Sequence, residues 1–133
     1  MRITQEADYA LRIVAMLASR GDLTDANTIA ESAGITQGFA LKILRKLVLG
    51  EMVCSQKGAS GGYKLARAAE DITLKDVIEI IDGEIAISKC LSDEHICSKQ
   101  GENKSACKIH RIFDAINSDI VKRLDAITIA SVI

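Results

Sequence analysis

Proline and tryptophan are absent from the 133 residues, and aromatic side chains make up only 3% of them. A sandwich of short strands relies on aromatic and β-branched cross-strand pairs, so this composition points instead to a core of Ile, Leu, Val and Ala carried on long helices, a mostly α fold. No run reaches the roughly 18 consecutive apolar residues of a membrane span. The opening stretch MRITQEADYALRIVAML carries Glu6 and Asp8 where a secretory leader would be basic and then apolar, so a cytoplasmic protein without a membrane partner is expected. Also missing are an ordered Ser-His-Asp or Cys-His-Asn set, a phosphate loop following a strand and any substrate-pocket signature. An enzyme acting on a small-molecule substrate is therefore not expected.

The 48% of hydrophobic residues suffices for one buried core, so a single domain with an appended element fits the length. The net charge of -1 conceals an uneven layout. Residues 36–67 carry Lys42, Arg45, Lys46, Lys57, Lys64 and Arg67 against Glu51 alone, a local balance of +5, whereas residues 68–103 hold nine acidic and three basic side chains. A compact basic segment is either a solvated face or the footprint of a polyanion, because phosphate attraction is local once salt screens it.

Periodicity places the basic segment. From Thr4, a helix cap, Ala7, Ala10, Leu11, Val14, Leu17 and Ala18 repeat at helical spacing as far as Gly21. A short second helix runs from Asp25 to Ala33 and stops at Gly34; a third starts from Thr36, turns Phe39, Ala40, Ile43, Leu44 and Leu47 inward, and ends at Gly50. Two helices joined by a tight glycine turn, the second polar and basic outside, form a helix-turn-helix pattern. MVCSQ and YKLAR then read as two strands around the tip KGASGG, which makes the whole a winged helix. Thr36, Gln37, Gly38, Lys42 and Arg45 are candidates for reading DNA from the third helix, and Lys57, Gly58, Ser60, Gly61 and Gly62 from the wing. For Gly61 and Gly62 the alternative is that they only make the turn.

DITLKDVIEIIDGE carries a Thr73–Asp76 capping box, so a fourth helix ends near Gly83. From about Lys108, Ile109, Ile112, Phe113, Ile116, Ile120, Leu124 and Ile127 form one stripe, widened by Val121, Ala126 and Ala130. Such a helix is too apolar for a small domain to cover alone, which favours pairing with a second copy of the chain over packing within it.

Between these helices lies CLSDEHICSKQGENKSACKIH, with Cys90, Cys97 and Cys107 at C-x6-C-x9-C and His110 one turn beyond the last. In a reducing compartment such thiols act as ligands or sensors rather than disulfides. Soft thiolates select zinc or iron-sulfur clusters, and the lack of closely paired C-x2-C knuckles leans toward a cluster. His95 is expected to be solvent-exposed, and Cys54, on a wing strand, to be a buried small hydrophobe.

MRITQEADYALRIVAML, GITQGFALKILRKLVLGEMVCSQKGASGGYKLAR, ITLKDVIEIIDG and the three-cysteine loop together resemble the IscR/NsrR, or Rrf-two, family of iron-sulfur transcription regulators across essentially the whole chain. The resemblance implies a homodimer crossing through its long helices, which binds a double-stranded DNA operator and acts as a sensor of cluster supply, redox state or nitric oxide. It implies Cys90, Cys97 and Cys107 as ligands. His110 would complete a 2Fe-2S site; Asp8, reaching across from the partner subunit, would instead complete a 4Fe-4S site. Leu41 stands where the isc-operon regulator has an acidic base-discriminating side chain, and the cysteine spacings are longer than is usual in the family. The implied division is a DNA-binding unit at 1–67, a connecting helix at 68–83, a cluster loop at 84–107 and a dimerisation helix at 108–133. The rival reading is a thiol- or zinc-dependent interaction protein that controls a partner protein rather than a promoter.

Overall fold

Each of the first four helices begins where a short polar side chain satisfies an otherwise orphaned backbone N–H. In the computed structural model, which describes residues 2–92 and 103–133, α1 (Gln5–Arg20) starts from Thr4, whose hydroxyl accepts from the Ala7 N–H at 3.0 Å. Asp25 caps α2 (Ala26–Ala33) and Thr36 caps α3 (Gln37–Leu49) in the same way. Ahead of α4 (Leu74–Asp82) the capping box is complete: the Asp76 N–H donates to the Thr73 hydroxyl at 3.1 Å, and the Thr73 N–H to the Asp76 carboxylate at 3.0 Å.

Strands β1 (Val53–Gln56) and β2 (Gly62–Leu65) pair antiparallel, with Val53 opposite Leu65 and Gln56 opposite Gly62. A short third rung ties this hairpin to the segment between α1 and α2: the Thr24 N–H donates to the Tyr63 carbonyl at 2.9 Å and the Tyr63 N–H to the Thr24 carbonyl at 2.8 Å. The wing is thus fastened directly to the helical unit beneath it.

One core lies under all of this, built from Ile13, Val14, Leu17, Ile29, Ile43, Leu44, Leu47, Met52, Ile72, Val77 and Ile129. Of the stripe expected on α1, Leu11 and Ala18 are only half-buried, whereas Ile13, outside that stripe, is fully buried. The reason is that α1 packs against α4, β2 and the C-terminal segment, so it needs an apolar surface wider than one stripe.

The last helix also differs from expectation. Helix α5 spans Lys108–Ala126 and does not continue to Ile133. The chain leaves it in extended form: the Leu74 N–H donates to the Ile127 carbonyl at 3.0 Å, and the Ile129 N–H to the Ile72 carbonyl at 2.8 Å. β-Branched Ile127 and Thr128 suit such an extended break, after which a 3-10 turn, Ile129–Val132, begins and buries Ile129 in the core. Helix α5 itself has no buried residue; Ile109, Ile112, Phe113 and Ile116 are exposed.

Ile129→Ala removes a fully buried side chain from the one element that closes the core from the C-terminal end. A loss of about 2–4 kcal/mol in unfolding free energy is expected by urea denaturation, whereas Ile133→Ala, at an exposed position, is expected to leave the midpoint unchanged.

Candidate nucleic-acid interface and thiol site

The turn between α2 and α3 is made by Gly34 at φ 70, a left-handed position, after which the Ile35 N–H returns to the Ala30 carbonyl at 3.0 Å. This sets α3 across α2 and leaves Thr36, Gln37, Gly38, Leu41, Lys42 and Arg45 exposed on its outer side. At the tip of the wing Lys57, Gly58, Ala59 and Ser60 are exposed as well, and Lys64 and Arg67 point outward from the returning strand and its continuation. The expected base-reading and wing residues therefore lie on accessible elements of one winged helix.

Two of the wing glycines have a reason that is internal to the fold. A Cβ at Gly61 would lie 2.1 Å from the Gln56 carbonyl oxygen, and one at Gly62, where φ is 155, would lie 2.6 Å from the Thr24 carbonyl. These two residues make the turn and seat the wing on the Thr24 segment. Gly58, at φ 114, faces open space, so only this tip glycine leaves room for a close approach from outside.

Beneath the recognition helix lies a feature that residue types alone did not reveal. Glu6, in the first turn of α1, meets two lysines of α3: Lys46 Nζ is 2.8 Å from Oε1 and Lys42 Nζ is 3.5 Å from Oε2. Burial pushes the Glu6 carboxyl up, but the two ammonium groups overcome this and hold it below the ordinary glutamate value. Nothing local distinguished Glu6 from its neighbour Asp8, a second carboxylate in the same first turn.

The thiol site forms where the loop after α4 meets the start of α5. Asn117, one polar residue within the apolar stripe of α5, accepts from the Ile87 N–H and donates to the Ile85 carbonyl, both at 2.9 Å. This clamp fixes the stretch leading into the 3-10 turn Lys89–Leu91 that carries Cys90. From there the Cys90 Sγ lies 3.4 Å from His110 Nδ1 and 3.3 Å from the Ser88 hydroxyl. Cys107, at the N-cap of α5, lines the same cavity of about 210 Å³ together with Lys104, Ile109 and Phe113. Lys104 donates to the Ser92 carbonyl at 2.8 Å, joining the two ends of the loop.

Cys90 from the loop and Cys107 and His110 from the start of α5 thus share one cavity. Cys97 and His95 lie outside the described residues. Asp8 is elsewhere, half-exposed and ion-paired to Arg12 at 3.1 Å. Cys54 is half-buried on β1 rather than fully buried. Among the described residues no three His, Cys, Asp or Glu side chains converge closely enough to form a finished metal site. Two thiols and an imidazole lining one cavity nonetheless match the soft donor set of an iron-sulfur cluster, so these residues fit such a group. No helix among the described residues is long and apolar enough to cross a membrane.

A helix-turn-helix with a β-hairpin wing and a long outer helix defines a winged-helix regulator. The family described as Rrf2, iron-dependent transcriptional regulator, matches residues 3–133, and the chain belongs to that family. It is 33% identical over 133 residues to the rrf2-like HTH-type transcriptional regulator of Rhodobacter capsulatus, covering 96% of this chain and 89% of that protein. It is also 34% identical over 91 residues to protein aau3 of Rhizobium meliloti, where the match spans only 59% of the relative's length. Among solved structures it is similar to CymR, the global cysteine regulator of B. subtilis, with a TM-score of 0.74 at 26% identity over 99% of this chain and 95% of that one. IscR of T. potens shares the fold, with a TM-score of 0.73 at 22% identity over 99% of this chain and 85% of that one. By name the Rhodobacter capsulatus relative is a transcriptional regulator and CymR a cysteine regulator.

If the Asn117 clamp holds the entry to the thiol loop, Asn117→Ala is expected to speed amide hydrogen exchange at Ile87 about tenfold or more, the equivalent of one buried hydrogen bond. Exchange at core amides such as Leu44 should not change.

Proposed function

We propose that the protein is a cytoplasmic homodimer that binds operator DNA through α3 and the wing, and whose affinity for DNA is switched at the thiol site by an iron-sulfur cluster. The observation that carries this reading is that Cys90, Cys107 and His110 line one cavity at the root of α5, the same helix that leaves Ile109, Ile112, Phe113 and Ile116 uncovered. A change at the site is therefore delivered directly to the helix best suited to pair with a second copy. An apolar groove of about 480 Å³, lined by Ile3, Ile78, Ile85 and Ile120 among others, extends this surface between α1, α4 and α5.

Cys90, Cys107 and His110, together with Cys97, would hold the cluster, 2Fe-2S ahead of 4Fe-4S; the partner's Asp8 is the alternative fourth ligand. The bound group supplies a link between loop and helix that oxidants, nitric oxide or scarcity of iron and sulfide can remove. The chain's own part is mechanical. His110 sits in the first turn of α5, so whatever fixes its ring against Cys90 also fixes where α5 leaves the loop. In a dimer joined through α5, that angle sets the separation of the two recognition helices. Thr36, Gln37, Gly38, Lys42 and Arg45 then meet base edges, and Lys57, Gly58 and Ser60 meet the backbone or minor groove. Gly61 and Gly62 give the wing its shape. A difference of a few kcal/mol between the two dimer geometries shifts operator occupancy by orders of magnitude.

A thiol switch without a cluster is the second reading. It is favoured by the placement of the Cys90 thiol beside an imidazole and by the likeness to a protein described as a cysteine regulator. Anaerobic iron and acid-labile sulfide analysis with visible spectra decides between them. About two irons and two sulfides per chain, lost in Cys107→Ala and altered in His110→Ala, are expected for the 2Fe-2S form, and about four, sensitive to Asp8→Ala, for the 4Fe-4S form. Zinc or bare thiols without sulfide would remove the cluster from the proposal.

Two further outcomes are expected. Duplex binding should weaken steeply with salt, with a log–log slope of about −0.9 for each phosphate neutralised; protein that binds no duplex in any cluster state would leave the interaction-protein reading standing. Sedimentation should show a dimer for the wild type and a monomer for the Ile112→Asp, Phe113→Asp double variant, with the helical content of α1–α4 retained.

A further inference from the structure

Of the six basic side chains of residues 36–67, two lysines are held in ion pairs. Lys42 and Lys46 are one turn apart on α3, on the side that faces the first turn of α1, and both are engaged by Glu6. The Glu6 side chain is only 16% exposed, while Lys42 and Lys46 remain 59% and 38% exposed. We propose that Glu6 is a positioning residue that competes with DNA phosphates for Lys42 and Lys46 and so weakens the non-specific grip of α3 on any duplex; this inference rests on the reading that α3 binds DNA.

Three observations support the competition. The docking of α1 does not need the ion pair, since Ala7, Ala10, Ile13 and Val14 already bury their whole surface against the core. The lysines are exposed enough to swing toward a phosphate, yet doing so leaves behind a carboxylate that is largely shut off from water, and that cost opposes the move. The Lys46 ammonium lies 2.8 Å from Oε1 and the Lys42 ammonium 3.5 Å from Oε2, charged contacts of the kind a phosphate offers as well. With Glu6 in place the trio contributes a single net positive charge to the DNA-facing field instead of two. Binding that comes from phosphates alone is reduced, while Gln37 and Arg45, which have no part in the ion pair, keep their access to base edges. The ratio of specific to non-specific binding rises as a result.

The test is fluorescence anisotropy with a random-sequence duplex over a potassium chloride series, on the full-length dimer. Glu6→Gln keeps the shape and removes the charge. It is expected to bind about 3–10-fold tighter at low salt, with a log–log salt slope steeper by about one. Adding Lys42→Gln and Lys46→Gln in the same chain is expected to abolish that gain. Glu6→Ala is the second variant. If both Glu6 variants fold, as judged by urea denaturation, and neither tightens binding nor steepens the slope, the proposal is overturned. Loss of folding in both would make the carboxylate a structural anchor and overturn it equally. Wild-type protein that shows no salt-dependent duplex binding would instead remove the DNA-binding reading on which the inference stands.

Discussion

The whole structure depends on one apolar core that is shared by elements from both ends of the chain. Ile13 and Leu17 of α1, Leu44 and Leu47 of α3, Met52 before the wing, Val77 of α4 and Ile129 from the C-terminal segment meet in it. Because Ile129, at the start of a short 3-10 turn, fills the core, α5 is left outside, packed on α4 and the loop that precedes it. A stripe of Ile and Phe on a helix with no buried residue is the direct consequence of a core already complete without it. The uncovered surface of α5 is therefore produced by the packing of the rest of the chain.

The same economy governs the DNA-binding end. The wing is not a free hairpin: reciprocal backbone hydrogen bonds between Thr24 and Tyr63 fix it to the segment ahead of α2, and Gly62 is needed because any side chain there would strike the Thr24 backbone. The two ends of the helix-turn-helix are thus locked to the wing, and the exposed face of α3 and the wing tip keep a constant relation. Glu6 lies under that face. A carboxylate from α1 thereby enters the electrostatics of a helix more than thirty residues later, which no local reading of α3 would include.

At the thiol site the decisive contacts also join distant stretches. The Asn117 side chain holds the backbone at Ile85 and Ile87, and His110 meets Cys90, in both cases linking α5 to the loop that precedes it. A thiol beside an imidazole at the first turn of the outer helix brings the loop and that helix into direct contact.

Much of the architecture was legible in the residues. Thr4, Asp25, Thr36 and Thr73 announced four helix starts, because a cap is a local interaction between residues three apart. The hairpin, the basic segment and the grouping of Cys90, Cys97, Cys107 and His110 were equally open to inspection, since each depends on composition over a short span. The sequence by itself thus determined the elements, the winged-helix order and the short span that carries Cys90, Cys107 and His110. Only the tertiary structure decided that Ile13 belongs to the core, that α5 stops at Ala126 so that Ile129 can pair with Ile72, that Gly61 and Gly62 serve the turn, and that Glu6 answers Lys42 and Lys46. Each of these turns on which surfaces come together across long stretches of chain, and periodicity carries no information about partners that lie elsewhere in the sequence.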